Sequence, residues 1–222
     1  MPSTNKKAEA QPRLEGTELS WWFGKSRWSA QWRGARTVRS QVHRLLPVAI
    51  ADVDGNEESR RGTVSVFNGP APQVDVFDSP EEEAEAVGAW LRRLLGDGVA
   101  PHELGIFVRT PALMKRARAA AKAAGAEFVE LSDKVEVTEG RIALATMHLA
   151  KGLEFRAVAV VACDDEVLPL QERIEAVGDD ADLEEVYDTE RHLLYVACTR
   201  ARERLLVSGV DPASEFLDDL HG

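Results

Sequence analysis

The first sixty residues show no steady period of apolar and polar positions, whereas from residue 63 onward the pattern becomes regular. Residues 63–67 and 74–77 alternate as short strands do. Ser79-Pro80-Glu81-Glu82 predicts a helix start, with Ser as the N-cap, Pro in the first turn and Glu82 closing a capping box. Ala84, Val87, Leu91, Leu94 and Leu95 then recur at helical spacing, and Gly96 and Gly98 end the run. Residues 104–108 read as a buried strand. Thr110-Pro111 opens a second helix that Gly125 closes. Residues 127–131 and 142–145 read as strands, and the apolar, β-branched run 158–162 as a central parallel strand. A long helix over 183–202 and a strand over 205–207 follow. Strands alternating with helices predict an α/β domain with a mainly parallel sheet.

Residues 1–45 carry nine Lys/Arg against three Asp/Glu, a balance of +6, in a chain of 222 residues whose net charge is −11. That segment interleaves Trp21, Trp22, Phe23, Trp28 and Trp32 with Lys25, Arg27, Arg33, Arg36 and Arg39. Such a mixture either grips single-stranded nucleic acid by stacking and phosphate contact, or is the remnant of a neighbouring domain. Residues 1–18 read as a polar tail, 46–62 as a charged linker with a turn at Asp54-Gly55, 63–210 as the folded domain and 211–222 as a C-terminal tail. The acidic whole argues against a free-standing, non-specific nucleic-acid binder. No apolar run approaches the ~20 residues that span a bilayer, and the N-terminus has no apolar signal segment. Cys163 and Cys198 are too few for a disulfide framework or a zinc site and sit in apolar contexts, so inert core thiols in a reducing cytoplasm are expected. The acidic stretches 164–166 and 179–185 fit no calcium loop.

Two segments carry chemistry. Thr146-Met147-His148-Leu149-Ala150-Lys151-Gly152-Leu153-Glu154-Phe155 lies between two predicted strands, at the carboxyl end of the first, where open parallel sheets bind ligands. Its donors, its glycine and its carboxylate suit a ligand loop, and equally a polar connection. Glu190-Arg191-His192-Leu193-Leu194-Tyr195-Val196-Ala197-Cys198-Thr199-Arg200-Ala201-Arg202 buries one helix face and places Arg200 near the helix end. A guanidinium there either forks onto a phosphate or complements the helix dipole.

Taken together and in this order, the two segments resemble motifs V and VI of the UvrD/Rep-like superfamily 1 DNA helicases. The connecting strand, the Leu168-Pro169 turn and the strand Gly105-Ile106-Phe107-Val108-Arg109-Thr110 are similar too, so the resemblance covers residues 63–210. It implies a RecA-like (P-loop NTPase-type) fold, the second of two motor domains that clamp ATP while single-stranded DNA crosses both. By that resemblance Arg200 is the catalytic arginine finger on the γ-phosphate. Glu154 meets the ribose in a loop shaped by Gly152. Thr146, His148 and Lys151 contact DNA or couple it to the nucleotide, and Arg191, Tyr195 and Thr199 support the motif.

Departures from the family are equally informative. A phosphate loop, G-x-x-x-x-G-K-[ST], belongs to the first motor domain. Gly24-Lys25-Ser26 lacks its first glycine, since Leu19 holds that position, and Trp21-Trp22-Phe23 crowds it. No acidic Mg²⁺ motif follows an apolar strand. The family's Asn-Tyr-Arg sequence is not recognisable, Arg39-Ser40 being its nearest remnant. Only 35 residues separate Thr110 from Thr146, too few for the insertion that many relatives carry. The expectation is a C-terminal motor half of an ATP-dependent 3′-to-5′ DNA helicase, with ATP and Mg²⁺ used only in the complete motor. Its partners are single-stranded DNA and an N-terminal motor domain supplied in cis or in trans, with no membrane. The alternatives are a non-catalytic single-strand-binding module and a vestigial fragment.

Overall fold

The computed structural model describes Val42, Leu45, residues 49–51 and 57–59, and residues 70–134, 136–178 and 180–221. Apart from Val42 and Leu45, the basic aromatic segment lies outside the described residues, as do the expected strand at 63–67, the turn at Asp54-Gly55, Gly24-Lys25-Ser26 and Arg39-Ser40. Within the stretch read as a linker, β1 (Ala49–Ala51) and β2 (Glu57–Ser59) pair antiparallel.

The main sheet has six strands, all parallel. They are β3 (Gln73–Phe77), β4 (Leu104–Val108), β5 (Phe128–Glu130), β6 (Ile142–Thr146), β7 (Phe155–Val160) and β8 (Ala201–Val210). Their order across the sheet is β3-β8-β7-β4-β6-β5. Parallel strands need crossovers, and α-helices supply those from β3 to β4, β4 to β5 and β7 to β8, packed on both faces.

On one face pack α1 (Pro80–Gly96) and α2 (Met114–Ala123). The Ser79 hydroxyl accepts from the Glu82 amide at 3.2 Å, Pro80 occupies the first turn, and Glu81 to Glu83 complement the helix dipole. α1 runs through Gly96, and Gly98 takes the left-handed turn at φ +87°. Val87, Leu91 and Leu94 meet Ile106, Val108, Leu144 and Ala159. Gly88 allows the helices to touch, because a Cβ there would lie 2.5 Å from that of Ala123. Glu83, buried in α1, accepts from Arg116 Nε at 2.7 Å, the Ser208 hydroxyl at 2.7 Å and the Ala162 amide at 3.0 Å, while Arg116 also pairs with Asp164.

The opposite face carries α3 (Gln171–Glu175), α4 (Asp180–Cys198) and α5 (Phe216–His221). Leu194, Ala197 and Cys198 of α4 pack on Phe107, Val158, Val160 and Leu205, joined by Val42 and Leu45. The segment read as a tail is part of this core: Phe216, Leu217 and Leu220 are buried, an apolar stripe that α5 lays inward. The long helix also ends four residues before its expected stop. Beyond Cys198 the chain gives Phe155 N–H the Arg200 carbonyl at 3.0 Å and turns at once into β8, where strand pairing outweighs helical propensity. Both cysteines are buried and free, as the apolar contexts predict. Among the described residues no helix is long and apolar enough to cross a membrane.

Candidate nucleotide and nucleic-acid site

The segment 146–155 does not lie at one end of the sheet. Thr146 finishes β6, and the chain turns through a 3-10 segment, Met147–Ala150, that packs against α4. It then runs back to start β7, which is parallel to β6's neighbour β4. Its two ends therefore sit at opposite ends of the sheet, about 17 Å apart for a five-residue strand. α4 covers most of that distance, about 12 Å from Glu190 to its end at Cys198 at 1.5 Å per residue, and Arg200 follows two residues later.

At the amino ends of β7 and β8 is a cavity of about 340 Å³. Gly152, Leu153, Glu154, Tyr195, Val196, Thr199, Arg200 and Arg202 are among its lining residues, with Val42 at its edge. Five of the nine residues designated from sequence thus share one cavity, and it lies at the end opposite to the one the general rule for open sheets favours. Gly152 holds φ +83°, a backbone conformation costly for any residue with a Cβ. The Arg200 guanidinium is held by its own domain: Nε donates to the Val196 carbonyl at 3.0 Å, Nη1 to the Leu153 carbonyl at 3.3 Å and Nη2 to the Thr199 hydroxyl at 3.2 Å. The Thr199 hydroxyl donates in turn to Val196 O at 2.9 Å. Arg200 therefore serves the α4 C-terminus, and Thr199 fixes its fork. Glu154 is exposed, and its carboxylate lies 4.0 Å from Arg202 Nε.

At the carboxyl ends of the strands a different group assembles. Arg109, just past β4, forks onto Glu190, with Nε and Nη2 each 2.6 Å from a carboxylate oxygen, and both residues are buried. Arg173 Nη1 adds a bond to Glu190 at 2.9 Å. Burial alone would raise the Glu190 carboxyl, but hydrogen bonds and charge from Arg109 and then Arg173 more than offset it and hold the group below its ordinary range. His148 stands at this end, exposed. Desolvation of the ring against the domain surface, followed by the charge of Arg109, holds its imidazolium below the ordinary value. Thr146 is buried, 9% exposed, at the end of β6. Lys151 is exposed on the returning segment. Arg191 reaches neither site: it pairs with Asp219 and lies 4.4 Å over the Phe216 ring, bracing α4 to α5.

The family model for the UvrD-like helicase C-terminal domain matches residues 123–211. Those residues are thus similar to the C-terminal domain of UvrD-like helicases. The ATP-dependent DNA helicase UvrD1 of Mycobacterium leprae is 44% identical over 104 residues, covering 40% of this chain and 12% of that protein. The putative ATP-dependent DNA helicase YjcD of Bacillus subtilis is 39% identical over 84 residues, 37% of this chain and 10% of that one. The chain thus spans about a tenth of the length of these relatives. A solved C-terminal domain of a possible DNA helicase from Lactobacillus plantarum WCFS1 superposes with a TM-score of 0.55, covering 86% of this chain and 94% of the other at 21% identity, which supports the fold.

Sequence reasoning did not single out Glu190 or Arg109 as partners, because nothing local marks a pair that closes only across the sheet. Arg202 was missed as well. The fold brings it to the cavity through a register shift between β7 and β8, which has no signature in the residue pattern.

Proposed function

We propose that the chain is the arginine-bearing motor half of an ATP-dependent DNA helicase. The observation that supports this most is the convergence of Gly152, Glu154, Tyr195, Thr199 and Arg200 on one cavity. The lining suits a nucleotide presented by another domain. Arg200 offers a fixed, always-charged fork for the γ-phosphate, held on the α4 end by Thr199. Glu154 offers an acceptor for ribose hydroxyls, and Gly152 keeps the loop low enough for close approach. ATP supplies the hydrolysis energy. The phosphate loop and the carboxylates for Mg²⁺ belong to the partner motor domain, in cis or in trans.

His148 and Lys151 are the exposed groups for single-stranded DNA, and the buried Thr146 at the end of β6 is a coupling residue. The two sites share α4, so a movement of the 146–155 segment over DNA is felt at Arg200 through one helix. Two buried free thiols fit a reducing cytoplasmic setting.

The deciding experiment measures ATP hydrolysis with single-stranded DNA for the full chain, alone and mixed with the N-terminal motor domain of a UvrD-like relative. Activity that appears only in the mixture, and falls by about 10³-fold or more on Arg200→Ala, is the expected result. DNA binding with no hydrolysis in either case favours a binding module, and neither activity a vestigial domain.

A further inference from the structure

The register between β7 and β8 slips: Phe155 stands opposite Ala201, but Ala157 stands opposite Arg204. Two residues of β8, Arg202 and Glu203, therefore face Arg156 alone. Glu203 is occupied there, accepting from Arg156 Nε at 2.8 Å. Further along β8, Leu205 and Val207 face α4 whereas Leu206 faces α1 and α2. An unbroken pleat would carry Leu206's face back to Arg204 and Arg202, away from α4. Arg202 instead lines the cavity beside Tyr195, Val196 and Thr199 of the α4 end. The extra residue re-aims it, as bulges do next to functional sites.

We infer that Arg202 is a second phosphate-contacting arginine of the nucleotide cavity, latched to Glu154 while the cavity is empty. The inference rests on the nucleotide reading of that cavity. Arg200 has three of its donors engaged by its own domain. Among the described residues Arg202 has only a 4.0 Å approach to Glu154, with about half of its side chain exposed. An exposed pair at that distance is weak, so a ligand exchanges it at little cost. A ribose that takes Glu154 releases Arg202, and the polyphosphate of the same nucleotide is the nearest anion for it to meet. One ligand thus satisfies both halves of the pair, whereas a bare polyphosphate must compete with Glu154 for the guanidinium.

Calorimetric titration of the full chain mixed with the N-terminal motor domain of a UvrD-like relative, and of that domain alone, with ATP and, separately, with inorganic tripolyphosphate tests this. Arg202→Ala is expected to weaken both ligands about tenfold. Glu154→Ala should weaken ATP yet tighten tripolyphosphate about threefold, because Arg202 is no longer neutralised. The double variant should lose that gain, a pattern that a merely structural role would not produce. Urea midpoints of the variants check that folding is intact. If Arg202→Ala binds tripolyphosphate as the wild type does while Arg200→Ala binds it weakly, the inference falls and the cavity reading stands. If Glu154→Ala fails to tighten tripolyphosphate, the latch is refuted. If adding the wild-type chain tightens neither ligand beyond the N-terminal domain alone, the cavity reading falls and takes the inference with it.

Discussion

Arg109 and Glu190 stand 81 positions apart in the chain and close a buried, two-pronged ion pair, 2.6 Å on each prong. The pair pins the upper part of α4 to the carboxyl end of β4. Removing one member of a buried pair leaves the other charge desolvated, at a cost of about 3–5 kcal/mol. Glu190 has a second partner in Arg173, whereas among the described residues no other carboxylate is bonded to Arg109. Glu190→Leu should therefore cost about 3–5 kcal/mol, and Arg109→Leu clearly less. Urea unfolding of both variants and of the double variant measures the asymmetry.

The same pair sets an acid limit. The Glu190 carboxyl is held below its ordinary value of 4.5, so its stabilisation is complete above that pH and is lost as pH falls through the lowered value. Stability measured from pH 6 downward should begin to fall from this source only below about 4.5, and the Glu190→Gln variant should lack that component. Equal slopes in the two proteins would refute the assignment.

His148 should report on the pair. Its ring titrates below 6.5, with Glu190 opposing the downward push of burial and of Arg109 and Arg173. The folded chain then binds that proton less readily than the unfolded chain, so stability declines as pH drops from 6.5 toward the lowered value. An NMR titration of the ring should show a further drop in Glu190→Gln and a rise in Arg173→Gln. Movement in the opposite sense would mean that the imidazole does not face this cluster.

Two glycines should behave differently. A Cβ on Gly105 would lie 2.7 Å from the Phe155 ring, a side chain that can be trimmed, whereas one on Gly209 would lie 2.3 Å from the Cys163 carbonyl oxygen. Gly105→Ala should cost about 1–3 kcal/mol and be partly rescued by Phe155→Leu, because the overpacking is relieved. Gly209→Ala should cost more and resist rescue, since backbone must move. Thermal unfolding of the three variants tests the contrast.

Cys163 and Cys198 should be silent in the folded chain. Burial raises both thiols above their ordinary value, leaving no thiolate near neutral pH. A thiol-selective disulfide reagent should label neither residue in buffer and both in urea, with labelling that tracks the unfolding transition. Rapid labelling of the native protein would contradict the packing.

Much of the fold was legible because helices and strands are written locally. Ser79-Pro80 capping, the α1 stripe and the β-branched run of β7 each depend on residues within a few positions of one another, so periodicity exposes them. The segments 146–155 and 190–202 were legible for the same reason: their chemistry is concentrated in contiguous sequence. What their residues do relative to one another was not. Strand order decides that the segment beginning at Thr146 and ending at Phe155 crosses the sheet, so that His148 and Glu154 serve opposite ends. The Arg109–Glu190 pair and the bulge that turns Arg202 to the cavity likewise arise from contacts between distant parts of the chain. A hydrophobic pattern states which face of an element is buried, but it does not say which neighbour buries it. In this protein that choice of neighbours, made by the packing of β8 between β3 and β7, built the cavity.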